Sequence, residues 1–291
     1  MENKPHGTIA ALAKYVDFNE STLRPPPNDT IVASFLQEFE QTRRTFLLNL
    51  IINAYETNWL LVPDKGLRTI AKKGVDGITC YFNGNLKDRL TVMEAIALDG
   101  TKLLLLIICK GKTQRCEKKI SDAESLQDYF SDGKLLIDHS KSGWATEEVC
   151  RRYLEWLHTG YAHNSRFSLL WDVYPSHKTD DIKDYATNNG IKLSFIPAGQ
   201  TGEWQPLDYR IFGSLKQRAR AEFNRSDVIT QNKEGAIVIN WETAVRILVK
   251  CWEEIKPEEV INAWAPLVND NHKPREIIEE EEDQDETYTD Q

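Results

Sequence analysis

Phe167-Ser-Leu-Leu-Trp-Asp-Val-Tyr-Pro-Ser-His177 is a short apolar stretch that runs out into an acid, a proline and a histidine. Phe167, Leu169, Leu170 and Trp171 read as a strand buried on both faces, and Pro175 stops it before a helical pattern begins at Thr179. Asp172 therefore stands at the carboxyl end of a buried strand, where open α/β sheets keep their chemistry. A solvated loop aspartate would look the same, so the reading depends on the rest of the chain.

Downstream, the pattern predicts a helix over 179–188 closed by Gly190, a strand over 191–196, and a helix begun by Pro206 with Leu207, Ile211 and Leu215 on one side. Two further helices follow at about 241–255 and 257–267. Upstream, Thr146 is placed to cap a helix carrying Val149, Tyr153, Trp156 and Leu157 at core spacing. Residues 117–143 are polar and read as a loop or an excursion outside the core. Before them lie four apolar runs, at 46–52 leading into 53–59, at 77–82, at 89–99 and at 102–109. Asp99-Gly100 between the last two is a hairpin signal, so the first half reads as an antiparallel sheet. Ile31, Phe35, Leu36 and Phe39 suggest a short amphipathic helix after the Pro25-Pro26-Pro27 arm. Lys110-Gly-Lys-Thr lacks the first glycine of a phosphate-binding loop.

The 291 residues are enough for one large domain with appendages. The longest apolar run, 103–109, is far short of the ~20 residues that a membrane span needs, and no basic-then-apolar leader opens the sequence. Five scattered cysteines without a C-x-x-C pair fit reduced thiols, hence a soluble protein of the nucleus or cytoplasm. The net charge of −9 is local: residues 276–291 hold nine acids and no base, leaving 36 acids against 36 Lys and Arg elsewhere. Such a block is a disordered solvating tail or an interaction tail that mimics a polyanion.

Six blocks in order carry a family resemblance: Asn53-Ala-Tyr-Glu-Thr57; Val62-Pro-Asp-Lys-Gly66; Arg89-Leu-Thr-Val92 with Asp99-Gly100 and Lys110-Gly-Lys112; Gly143-Trp-Ala-Thr146; Leu170-Trp-Asp172 with His177; and Ile196-Pro-Ala-Gly-Gln-Thr201 before Gln205-Pro-Leu-Asp208. Over about residues 50–267 the chain resembles the DDE superfamily endonucleases of the pogo/Tigger transposase and centromere-protein-B type. The resemblance implies an α/β fold, a ribonuclease-H-like mixed sheet flanked by helices, with C-terminal helices. It divides the chain into an arm and short helix (1–46), the DDE domain (47–228), a helical extension (229–270) and the acidic disordered tail (271–291). It implies DNA as partner, self-association as an open question, no membrane, a nuclear location, and Mg2+ or Mn2+ as cofactor if the site is active. The family also carries helix-turn-helix units ahead of its catalytic domain, and about 46 residues precede it here, so recognition of transposon ends is not expected.

Cutting and rejoining a phosphodiester needs in-line attack between two divalent ions, and hard ions of that kind are held by carboxylates. The resemblance places the family's three acids at Tyr55, Asp172 and Asp208. Tyr55 departs from the pattern, because a phenol with a pKa near ~10 is neutral at pH 7 and is a poor ligand for magnesium. Glu56 could rescue the site only if a bulge turned it to the other face of its strand. The expectation is a catalytically crippled, transposase-derived nucleic-acid-binding protein; an active Mg-dependent endonuclease with Glu56 compensating is the alternative. His177 could orient a metal-bound water or a phosphate. Arg210, Lys216, Arg218, Arg220 and Arg225 make the helix after Asp208 basic, with Phe212 and Phe223 interleaved, which suits phosphate contact as well as an ordinary solvated face. Trp144, Trp171 and Trp204 flank the acids and are read first as core. His158 and His163 lack partners at zinc-ligand spacing.

Overall fold

The computed structural model describes residues 29–60, 89–225, 230–231, 237–238 and 241–268. The Pro25–Pro27 arm, the 62–66 block, the 77–82 run and the acidic tail lie outside the described residues.

Helix α1 (Asp29–Thr45) buries Phe35, Leu36 and Phe39 and leaves Ile31 exposed. The chain then enters strand β1 (Ile51–Leu60) through a single 3-10 turn at Leu48–Leu50. The strand expected over 46–52 thus begins later and runs on through Trp59, because Leu47 and Leu48 are exposed and offer no core face. β2 (Arg89–Ala97) returns antiparallel, and Gly100, at φ 99°, supplies the positive φ of the Asp99-Gly100 turn before β3 (Leu105–Lys110). The polar stretch 117–143 is no simple loop. It contains β4 (Leu135–Ser140), an edge strand parallel to β3, whose mostly half-buried side chains explain its weak apolar signal.

Helix α2 (Glu147–Trp156) leads into a π turn at Leu157–Tyr161 and then β5 (Ser168–Trp171). Thr179 caps helix α3 (Asp180–Asn188) with its hydroxyl, and β6 (Lys192–Phe195) follows. Past a one-turn helix (Thr201–Trp204), the helix predicted from Pro206 starts as a π turn at Leu207–Ile211 and continues as α4 (Phe212–Arg225). Helices α5 (Trp241–Glu253) and α6 (Pro257–Ala263) come last, with a final turn at Ala265–Val268.

The sheet order is β4-β3-β2-β1-β5-β6, with β2 antiparallel to its neighbours and the remaining pairings parallel. One face, with Ile52, Leu169 and Trp171, packs under α2 and α3 through Val149, Tyr153, Leu154 and Ile182. The other, with Ile51, Val92, Ile96 and Leu170, packs under α1, α4, α5 and α6. The period-two alternation of the strands decides which residues meet which layer. Tyr55 goes with Ile51 to the second face, and Glu56 goes with Ile52 to the first.

Candidate active site

β1 and β5 run side by side in parallel, with Asn53 paired to Leu170. Continuing that register by two residues brings Asp172 level with Tyr55 at the carboxyl edge of the sheet. Asp208 arrives from the π turn ahead of α4. That turn is fastened by buried amides: Asn53 Nδ2 donates to the Leu170 carbonyl at 3.0 Å and to Gln205 Oε1 at 2.7 Å, while its Oδ1 accepts from Leu207 N at 3.2 Å. Gln205 Nε2 in turn donates to the Ala54 carbonyl at 3.3 Å. Both residues are fully buried. The network ties β1, β5 and the Asp208 turn together, so three separate elements bring Tyr55, Asp172 and Asp208 to one place.

Tyr55 is half-buried, its ring stacked on Phe212 with centroids 5.7 Å apart and planes 14° from parallel. Burial raises its phenol above the ordinary tyrosine range, and the charges of Asp208 and Asp172 raise it further. The two carboxylates therefore act on the Tyr55 hydroxyl and hold it protonated, a group with no negative charge to offer an ion.

Glu56 lies on the opposite face. Its Oε1 is 2.8 Å from His177 Nε2, and His177 Nδ1 is 2.6 Å from Asp172 Oδ1. His177 is fully buried, lies flat against the Trp171 ring at 3.9 Å and turns both ring nitrogens to carboxylates, which leaves neither for the phosphate or metal-bound water expected from the sequence. Burial alone would lower its pKa. The Glu56 charge, with hydrogen bonds from the imidazole to Asp172, Cys150 and Glu56, outweighs burial and lifts it to about 12, so the ring is a cation locked between two acids. Asp172 Oδ1 also accepts the Tyr174 amide at 3.2 Å. Both of these contacts fall on the same oxygen, Oδ1. No bulge re-aims Glu56, whose ladder partner is Met93, so its carboxylate belongs to His177 and does not replace an acid at 55. Glu56, Cys150 and His177 lie close enough to hold a metal ion, but both His177 nitrogens are already engaged by carboxylates.

Arg210 and Arg220 are exposed on the helix that follows Asp208. Arg218 is committed to a two-pronged ion pair with Glu259 at 2.8 and 2.9 Å, and the Lys216 ammonium rests over the Phe212 ring. Phe212 and Phe223 are buried core residues rather than part of a surface stripe, as are Trp171 and Trp204, while Trp144 is 40% exposed. His158 is buried against Phe167 and Tyr185, and His163 belongs to no metal-sized cluster among the described residues.

Sequence reasoning missed Asn53, Gln205 and Glu94. Glu94 is fully buried on β2, directly across the ladder from Tyr55, and burial pushes its carboxyl up to about 8 against the pull of Lys216. An acid in the middle of Leu-Thr-Val-Met-Glu-Ala-Ile was the available signal. A cavity of about 920 Å³ opens elsewhere, beyond the ends of β3 and β4. Of the acids that line it, Glu117 is engaged by His139 and Asp138 by Arg152.

The comparisons with known proteins agree with this architecture. The chain is 26% identical over 216 residues to Tigger transposable element-derived protein 4 of Mus musculus, covering 74% of this chain and 38% of that protein. It is 29% identical over 180 residues to Pogo transposable element with KRAB domain of Mus musculus, covering 59% of this chain and 27% of that protein. The chain thus spans well under half the length of these relatives. Among solved structures, the mariner Mos1 paired end complex with Mg superposes with a TM-score of 0.53 at 13% identity, over 91% of this chain and 79% of that one. The Mos1 transposase paired-end complex with left transposon end gives 0.52 at 11% identity, over the same shares of the two chains. The fold is therefore the ribonuclease-H-like fold of a transposase catalytic domain. A family model described as DDE superfamily endonuclease matches residues 87–264, and the chain belongs to that family.

Proposed function

We infer that this chain is a transposase-derived, nuclear DNA-binding protein that keeps the endonuclease scaffold and has lost most or all of its cutting chemistry. The observation that carries the reading is Tyr55. It occupies the β1 position level with Asp172, and Asp172 and Asp208 both act on its neutral hydroxyl.

Asp172 and Asp208 are oxygen donors on separate elements, the donor type that suits Mg2+ or Mn2+. The two residues would hold such an ion, which when bound supplies positive charge against a phosphate oxygen. The chain's own groups do the rest. His177, as a buried cation, fixes Asp172 through Oδ1; the Asn53–Gln205 amides fix the turn that bears Asp208. Tyr55 contributes bulk and a bound proton where a third negative charge would complete a two-ion clamp. Arg210 and Arg220, exposed beyond Asp208, offer phosphate contacts that give affinity without reading sequence. The alternative, an active enzyme rescued by Glu56, requires that side chain to leave His177 and cross to the other face of β1.

A fluorescent DNA duplex incubated with the protein and Mn2+ tests this. Retention of the duplex that weakens steeply with salt and with Arg210→Ala/Arg220→Ala, and no strand scission, is the expected result. Scission that disappears in Asp172→Ala would overturn it.

A further inference from the structure

Glu94 has no task in the site as described so far. Both of its carboxylate oxygens are shielded from solvent, and neither has a hydrogen-bond partner. Burying an acid in that condition is costly, and an unsatisfied polar group inside a folded chain calls for an explanation such as an ion that belongs beside it.

Its place in the sheet supplies one. Glu94 is paired with Tyr55 in the β1–β2 ladder, and Asp172 is level with Tyr55 on the other side. Directly opposed residues share a face, and adjacent strands lie ~4.8 Å apart. Glu94, Tyr55 and Asp172 therefore form one row across three neighbouring strands, on the face covered by α4, with Asp208 entering over the middle of it. A glutamate carries one methylene more than an aspartate and reaches further along such a row. Tyr55, half-buried against Phe212, stands between, so the three carboxylates are not gathered at ligating distance and Tyr55 must turn aside for them to share an ion.

We propose that Glu94 is the third carboxylate of a divalent-cation site shared with Asp172 and Asp208, the acid absent from position 55 being supplied from the neighbouring strand. This rests on the reading of Asp172 and Asp208 as cation ligands, and it concerns occupancy by a hard ion such as Mg2+ or Mn2+, not cutting. The ligand set is all oxygen, as such ions prefer.

The test is Mn2+ binding to the full chain, followed by the electron-spin-resonance signal of free Mn2+ and by the Mn2+-induced shift in Tm. The samples are the natural protein, Glu94→Gln, Glu94→Leu and Asp172→Asn. The expected result is at least about tenfold weaker binding in all three variants. Glu94→Leu should in addition melt higher than the natural protein without metal, since it removes an unpaired buried acid, yet lose the Mn2+-induced shift. If both Glu94 variants bind Mn2+ as tightly as the natural protein while Asp172→Asn does not, Glu94 is a buried acid only and the proposal is wrong, with the Asp172 reading intact. If Asp172→Asn binds unchanged, or the natural protein binds no Mn2+, the reading of Asp172 and Asp208 falls and the proposal falls with it.

Discussion

The Tyr55 ring lies 5.7 Å from that of Phe212 and nearly parallel to it, on the first helical residue after the turn that bears Asp208. The aromatic at position 55 is thus built into the packing of α4 against β1. Restoring an acid there has a structural cost: Tyr55→Asp loses a stacked pair worth about 0.5–1.5 kcal/mol together with the burial of half a ring. It also sets a third carboxylate beside Asp172 and Asp208. Urea denaturation should show Tyr55→Asp less stable by about 1–3 kcal/mol in EDTA, with Mn2+ recovering part of the loss. A variant as stable as the natural protein would mean that the stack contributes nothing.

His177 is a cation between Glu56 and Asp172, with all three shielded from solvent by at least four-fifths of their side chains. His177→Gln keeps some hydrogen bonding but leaves two buried negative charges uncompensated. Removing one partner of a buried pair costs about 3–5 kcal/mol, and the loss should appear as a lower denaturation midpoint with an unchanged slope. A change under ~1 kcal/mol would show that Glu56 and Asp172 do not depend on the imidazolium.

Glu94 makes stability depend on pH. Its folded-state pKa, about 8, lies above the 4.5 of a free glutamate. The folded form therefore holds its proton better than the unfolded one, so the contribution is complete below about pH 4.5 and is lost as pH rises toward 8. Across that window the slope is up to about 1.4 kcal/mol per pH unit. In metal-free buffer, Glu94→Leu should gain little over the natural protein at pH 5 and most at pH 8. A gain that is the same at both values would contradict the assignment.

Asn53 and Gln205 fix the Asp208 turn through buried amides. Asn53→Leu leaves the Leu207 amide and Gln205 Oε1 without these partners, at a cost of about 1–3 kcal/mol for each group stranded. Hydrogen exchange at the Leu207 amide should accelerate by more than the global loss of stability explains. Exchange that changes only in step with global stability would assign Asn53 to the core and not to the site.

Where residue type and period agreed, the sequence could be read directly. The fully buried β5 and its exit at Asp172, the Thr179 cap of α3 and the glycine of the Asp99-Gly100 turn each rest on local chemistry. The misses share a different cause. β4 is an edge strand with mostly half-buried side chains and carries no strong alternation. Leu47 and Leu48 are apolar but exposed, because the chain turns before the sheet begins. Asn53, Gln205 and Glu94 are polar groups whose partners, or lack of partners, are set by register between distant segments, and no single window of sequence holds that information. His177 was legible as a site residue but not its burial, which comes from stacking on Trp171 beneath α2.

The most direct test of the account is a supercoiled-plasmid nicking assay with Mn2+ that runs the natural protein beside Tyr55→Asp and Tyr55→Asp/Asp172→Ala. The account predicts no nicking by the natural protein, nicking by Tyr55→Asp, and none by the double variant. Nicking by the natural protein that Asp172→Ala abolishes would contradict it.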